Sequence, residues 1–341
     1  MRNRLHNKDM SNRLRNSNYT MDDIASELGL SKSTVSRALS DSGRISLATR
    51  EKVQAFAKEH GFRPNLVAKA LAGQKTLNLA AVMPFEATAY QMMFFHECLS
   101  GIVTRASESG YSVLVCMTKP DDSGILRSAV ENRKIDSVIL TQLKHDDENV
   151  KLLRKSNIPF VVIGSGAGES VIHVDSRMKE NCADFTLECL DRLSDGSQVL
   201  FVCGSLDVEA NNNRLSGFLS GMESVKSKNF HYAVCTDVHD FADEISLKSW
   251  SLILCSDDVV CLQVLEILRE KNISVGADVK IASFHDSVLL ESYSPPVSAL
   301  KVDAFALGEK SSELALKAAR GEKCESVNYV DCSFMMRDST E

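Results

Sequence analysis

Residues 20–40 read TMDDIASELGLSKSTVSRALS. Thr20 followed three places later by Asp23 is the Thr-x-x-Asp signal of a helix start. Ile24, Ala25 and Leu28 then share one helical face. Gly29 stands where the chain must turn sharply, and without a side chain it takes positive φ at little cost. Ser31 opens a second helix that turns Val35 and Leu39 inward and leaves Lys32, Ser33, Ser36 and Arg37 facing outward. An inward Ala25, a turn at Gly29 and an inward Val35 match the spacing of a DNA-binding helix-turn-helix.

Working outward, Ser46 caps a third helix with Val53, Phe56 and Ala57 on its core face, and Gly61 ends it. Three short helices make a head with a thin core, marginal in stability by itself. The next stretch, RPNLVAKALAGQKT, breaks at Pro64, can be capped by Asn65, and runs about two turns before Gly73. A helix that short is unstable alone in water, so it is expected to form against a partner.

The charge balance fits this reading once the chain is divided. The 341 residues carry a net charge of −7. Residues 1–75 hold 14 Lys and Arg against 7 Asp and Glu, or +7, which leaves 25 against 39, or −14, for the rest. A basic head on an acidic body is the asymmetry of a nucleic-acid binder, with salt-sensitive affinity. Apolar residues make up 44% and no apolar run approaches the ~20 residues of a membrane span, so a soluble cytoplasmic protein is expected. Residues 1–18, rich in Arg and Asn without an apolar core, are not a secretory signal and are expected to be a disordered basic extension. All ten cysteines follow residue 75, none in a C-x-x-C pair, so buried apolar packing is expected and no metal or cofactor.

The strings T-M-D-D-I-A, L-S-K-S-T-V-S-R-A-L, S-x-x-T-R from Ser46, G-F-R-P-N and A-K-A-L span about fifty-five residues without a gap. They resemble the lactose-repressor/galactose-repressor family of bacterial transcription regulators. The resemblance implies that the second helix lies in the major groove, with Lys32 and Ser33 at variable base-reading positions. It also implies that the short hinge helices of two subunits pair in the minor groove, where Leu71 wedges into the central base step and bends the duplex. Arg37 is the expected guanine reader, since its fork fits O6 and N7. Thr34, Ser36 and Asn65 suit phosphate contacts, which fix register. Thr20, Ser31, Ala68 and Lys69 complete the expected DNA-facing set. Lys69 stands where the family often has arginine, which keeps the charge but not the flat fork.

From Leu77 the chain alternates apolar strand-like runs with helical stretches. LNLAAVM, YSVLVCM, DSVILT and PFVVIG are followed later by QVLFVCG, HYAVCT, SLILCS and VKIASF. Helical periodicity lies near 90–109, 123–133, 146–156, 212–226 and 258–271. This rhythm predicts two doubly wound parallel-sheet α/β lobes. The expected organisation is a head over 19–63, a hinge over 64–75 and a body over 76–341. Within the body, lobe 1 is expected at about 76–193 plus 299–324, and lobe 2 at about 194–298 plus 325–338.

The body, through N-R-L-S-G-F, L-C-S-D-D, V-G-A-D-V-K-I-A-S-F and S-P-P-V-S-A-L, resembles within the same family a periplasmic sugar-binding protein with its ligand between the lobes. By that resemblance Arg214 anchors polar oxygens of an effector, and its fork suits a hydroxyl pair, a carboxylate or a phosphate. Asp257, where the family frequently has asparagine, and Asp175 are hydroxyl acceptors. Phe94 and Phe95 align with a ligand-flanking aromatic pair, core packing being the alternative. In F-H-D, residues 284–286, His285 replaces a common acidic residue; it either meets the ligand, with an anionic group or a pH dependence implied, or only ends a strand. No nucleophile elbow, phosphate loop or metal-ligand spacing accompanies these residues, so no catalysis is expected.

One helix-turn-helix reads a half-site, and paired hinges need two subunits, so a homodimer on a near-palindromic operator in double-stranded DNA is expected. The chain ends CSFMMRDSTE without the leucine-heptad tail of tetrameric relatives. A sugar or sugar derivative between the lobes is expected to switch a repressor of carbohydrate uptake or catabolism by population shift. The alternative implied by the family is control by a protein corepressor.

Overall fold

The computed structural model describes residues 19–39, 45–62, 75–85, 87, 91–119, 123–166, 168, 171–225, 229–236, 241–242 and 249–341. The expected extension over 1–18 and the hinge positions Asn65, Ala68, Lys69 and Leu71 lie outside them. The chain divides into two units, 1–75 and 76–341.

The first unit contains α1 (Met21–Leu28), α2 (Lys32–Leu39) and α3 (Leu47–Glu59). Thr20 forms a reciprocal capping box: its hydroxyl accepts from the Asp23 amide at 3.2 Å while the Asp23 carboxylate accepts from the Thr20 amide at 2.8 Å. Gly29 ends α1 at φ +65, and the Leu30 amide donates to the Ala25 carbonyl. Ser31 caps α2 through the Thr34 amide (3.1 Å), and Ser46 caps α3 through the Thr49 amide (3.2 Å). Ile24, Ala25, Val35, Ala38, Val53 and Ala57 are buried together, with Leu28, Leu39 and Phe56 half-buried around them. Ala38, not only Leu39, closes the inner face of α2.

The second unit is built on two six-stranded sheets. The first comprises β1 (Asn78–Pro84), β2 (Ser112–Thr118), β3 (Ser137–Leu140), β4 (Phe160–Ile163), β5 (Ile172–Asp175) and β11 (Val327–Tyr329), all parallel in the order β2-β1-β3-β4-β5-β11. The second comprises β6 (Gln198–Val202), β7 (His231–Cys235), β8 (Leu252–Cys255), β9 (Lys280–Ser283), β10 (Ser298–Val302) and β12 (Cys332–Met335), in the order β7-β6-β8-β9-β10-β12. Here β12 runs antiparallel to β10 at the edge of an otherwise parallel sheet. Central strands such as β1, β3 and β8 are buried along nearly their whole length because helices cover both faces.

Among the described residues the α-helices of this unit are α4 (Gln91–Glu108), α5 (Gly124–Glu131), α6 (Glu148–Ser156), α7 (Met178–Leu190), α8 (Glu209–Ser224), α9 (Asp258–Glu270), α10 (Val288–Glu291) and α11 (Ala304–Ala319). Their packing moves the expected lobe boundaries. α7 belongs to the second lobe, since Cys182, Phe185, Cys189 and Leu190 share one core with Phe201, Phe218 and Phe284. β10 also belongs there, whereas α11 crosses back to pack on α4, with Leu307, Leu314 and Ala315 among the first lobe's core. β11 stays with the first sheet. The chain therefore crosses between lobes near 176–177, 302–304 and 329–332, rather than at 193, 298 and 324. Glycines permit the closest helix pairs. A Cβ on Gly308 of α11 would strike the Cys98 carbonyl of α4, and one on Gly217 of α8 would strike α7 at Lys179 and Cys182.

Candidate DNA-reading helix and ligand cleft

In the first unit, Lys32, Ser33, Ser36 and Arg37 lie on the exposed side of α2, with Thr34 half-buried. Local chemistry already occupies some of these groups. The Ser31 hydroxyl, besides capping α2, hydrogen-bonds the hydroxyls of Ser33 and Thr34 at 2.8 Å. Lys32 meets Asp22 of α1 at 2.7 Å, a pair whose side chains are 62% and 66% exposed and which therefore contributes little to stability. Thr20 is engaged in its capping box. The outcome is a short helix, anchored by Val35 and Ala38, that offers a row of small polar and basic side chains to solvent.

In the second unit a cleft of about 150 Å³ opens at the carboxyl ends of the strands, where α/β sheets bind ligands. That is room for several waters or one small molecule. Phe94, Phe95, Asp175, Arg214, Asp257 and His285 all line it. Phe94 and Phe95 come from the first turn of α4 and Asp175 from the end of β5, on the first lobe. Arg214, Asp257 and His285 come from α8, the start of α9 and the residue pair after β9, on the second. Arg214 sits in the second turn of α8, because that helix begins at Glu209 rather than near 212.

Arg214 is held by its surroundings. Its Nη1 donates to Asn211 Oδ1 at 3.0 Å and lies 3.7 Å from Asp257 Oδ2, while its Nε is buried without a protein acceptor. Asn211 is itself fixed by donating to the Ser205 carbonyl. Asp257 has a structural duty as well: one oxygen caps α9 through the Val260 amide, and the other accepts from the Ser256 hydroxyl. The Asp175 carboxyl accepts from the Met178 amide at 3.3 Å, and burial raises its pKa above the usual carboxylate value. His285 packs edge-on against Phe94, ring centres 5.2 Å apart, and Phe94 packs edge-on against Phe95. Burial lowers the His285 pKa, opposed by the neighbouring Asp258 and helped by Arg214.

Several lining residues escaped the sequence reading. Asp258 is buried beside His285, its pKa raised first by burial. Asn213 donates across the cleft to Ser165 of the other lobe at 3.0 Å. Asn211 and Asn213 stood in plain sight beside the arginine of the N-N-N-R run. Asp286, the neighbour of His285, does not line the cleft: Arg337 grips both its oxygens, at 2.7 and 2.8 Å.

Beside the cleft the lobes are joined by main chain. Lys144 and Val208 form an antiparallel bridge, flanked by the His145 amide donating to the Asp207 carbonyl (2.9 Å) and the Glu209 amide to the Leu143 carbonyl (3.1 Å). Glu209 is the first residue of α8, whose N-cap Val208 supplies no side-chain bond. An amide that a helix start leaves unpaired is thus satisfied by the other lobe.

No helix among the described residues is long and apolar enough to cross a membrane. The ten cysteines carry no disulfide, and burial pushes the Cys189 thiol up to about 12 and Cys203 to about 11, poor settings for a nucleophile.

Residues 20–65 match the family model of bacterial regulatory proteins of the lacI family, and residues 195–340 match the periplasmic binding protein-like domain. The transcriptional regulator MalR of Staphylococcus xylosus is 27% identical over 315 residues, which cover 89% of this chain and 92% of that protein. The regulator CelR of Thermobifida fusca is 26% identical over 345 residues, covering 94% and 98%. Among solved structures, the lac repressor dimer bound to operator and the anti-inducer ONPF superposes with a TM-score of 0.73 at 21% identity, over 94% of this chain and 99% of that one. A CelR–cellobiose complex gives 0.66 at 23% identity, over 94% and 99%. The protein is a DNA-binding transcriptional regulator of the lacI family, a helix-turn-helix head carrying a periplasmic-binding-protein-like body of two α/β lobes.

Proposed function

We propose that the protein is a homodimeric repressor whose grip on a near-palindromic operator is set by a small sugar or sugar derivative bound between the lobes. Arg37 reads guanine, and Lys32 and Ser33 read neighbouring bases. Thr34, Ser36 and Asn65 contact phosphates, with Thr20 and Ser31 beside them, while Ala68, Lys69 and Leu71, in a hinge over 64–75, engage the minor groove. Two copies are required because one α2 covers a half-site. The edge strand β2, with Leu114 and Val115 39% and 41% exposed, supports a contact with a second copy.

The observation that carries the effector half is the cleft, in which Arg214 and Asp257 from one lobe face Asp175, Phe94 and Phe95 from the other. A ligand touching both lobes favours one lobe arrangement over another, which is how it changes a linked DNA affinity. The structural neighbour CelR, in complex with cellobiose, supports a carbohydrate. The protein acts where its operator is, in the cytoplasm, and carries out no catalysis. The test is fluorescence anisotropy on a selected operator with and without a panel of sugars. A sugar that shifts operator affinity supports the proposal. No response to any sugar, with capture of a phosphocarrier protein instead, contradicts it.

A further inference from the structure

The sign of charge around the cleft has a consequence for its ligand, resting on the effector reading above. Asp175, Glu209, Asp257 and Asp258 all line the cavity, against one guanidinium, that of Arg214. That guanidinium is already shared with Asn211 and with Asp257, 3.7 Å away. No lysine stands among the described lining residues. The imidazole of His285 adds no second cation: it is enclosed by Phe94 and Asp258, and burial disfavours its charged form. An anionic group entering this space would face several acidic side chains with one arginine to offset it, and the same burial that raises the pKa values of Asp175 and Asp258 disfavours its charge too.

Hydrogen-bonding capacity points the same way. The carboxylates of the lining accept, while Thr141, Asn211 and Asn213 already donate to Val82, Ser205 and Ser165, so the lining offers a ligand many acceptors beside the donors of Gln142 and Arg214. Its matching partner is rich in donors, as hydroxyls are. The Nε of Arg214, buried and without a protein acceptor, is a donor that a neutral ligand oxygen can satisfy. The remaining wall, from Phe94, Phe95, Ile163 and Val302, is apolar and suits the C–H face of a sugar ring. We infer that the cleft takes an uncharged polyhydroxylated ligand and rejects its phosphorylated and carboxylated forms.

The inference is tested by calorimetric titration and thermal shift of the full-length protein with matched compounds: glucose, galactose, maltose and cellobiose, each beside its phosphate and its sugar acid. The expected result is that an uncharged member binds and its anionic counterparts bind at least ~10-fold more weakly. Asp175→Asn, which keeps the shape and removes one charge, should narrow that gap. A phosphate or acid that binds as tightly as its neutral parent overturns the inference while leaving a small-molecule effector in place. If no member of any charge binds, the effector reading itself fails and the inference falls with it.

Discussion

Replacing Glu209 with proline should loosen the contact between the lobes without breaking the helix it begins. Glu209 is the first residue of α8, a position where proline is well tolerated because its missing amide has no intrahelical partner. Val208, at φ −89 and ψ 118, already has the extended backbone that a residue before proline needs. What disappears is the 3.1 Å bond from the Glu209 amide to the Leu143 carbonyl. One such bond is worth about 1 kcal/mol net, so the open arrangement should gain roughly fivefold in population. The 3.8 Å contact of Glu209 with His145, whose side chain is 81% exposed, adds little. Hydrogen exchange reads this directly through the His145 amide, which donates to the Asp207 carbonyl only while the lobes are joined. Its exchange should accelerate about fivefold in Glu209→Pro and stay unchanged in Glu209→Gln, which keeps the amide. Equal acceleration at core amides of α8 such as Phe218, or no acceleration at His145, would refute this account of the clasp.

Gly308→Ala forces a Cβ into the Cys98 carbonyl where α11 crosses α4, and should cost about 2 kcal/mol or more, seen as a lower urea midpoint. Arg214→Ala should abolish the effect of the effector on operator affinity while leaving effector-free operator binding within about twofold, measured by anisotropy. His285, faced by Asp258, Asp257, Asp286 and Arg214, has a pKa lowered from 6.5, so the unfolded chain binds its proton first as pH falls. Its contribution to stability is therefore present above pH 6.5 and lost as pH drops from there through the folded-state value; His285→Gln should flatten that part of the stability–pH curve.

The head was legible because its signals are local. The caps at Thr20, Ser31 and Ser46 and the turn at Gly29 are each fixed within four residues of sequence. The central strands were legible as apolar runs, since both faces are covered. β11 and β12 were not, being short and largely exposed, without an apolar run to mark them. α7 turns Cys182, Phe185, Thr186 and Cys189 inward, so its periodicity is diluted by small and polar side chains. The crossings between lobes depend on packing between residues far apart, such as Phe185 against Phe284, and leave no local mark. At the cleft, individual side chains were readable through family motifs. That Asp286 belongs to Arg337, while Asp258 belongs to the cavity, needed the fold.

The most direct measurement is selection of bound duplexes from a random pool by the purified full-length protein, repeated with Arg37→Ala. Enrichment of a twofold-symmetric sequence with a conserved guanine in each half, lost in the variant, is the predicted result. Recovery of a pool with no symmetric consensus, or the same consensus from the variant, would contradict the assignment of α2 as the reader of DNA.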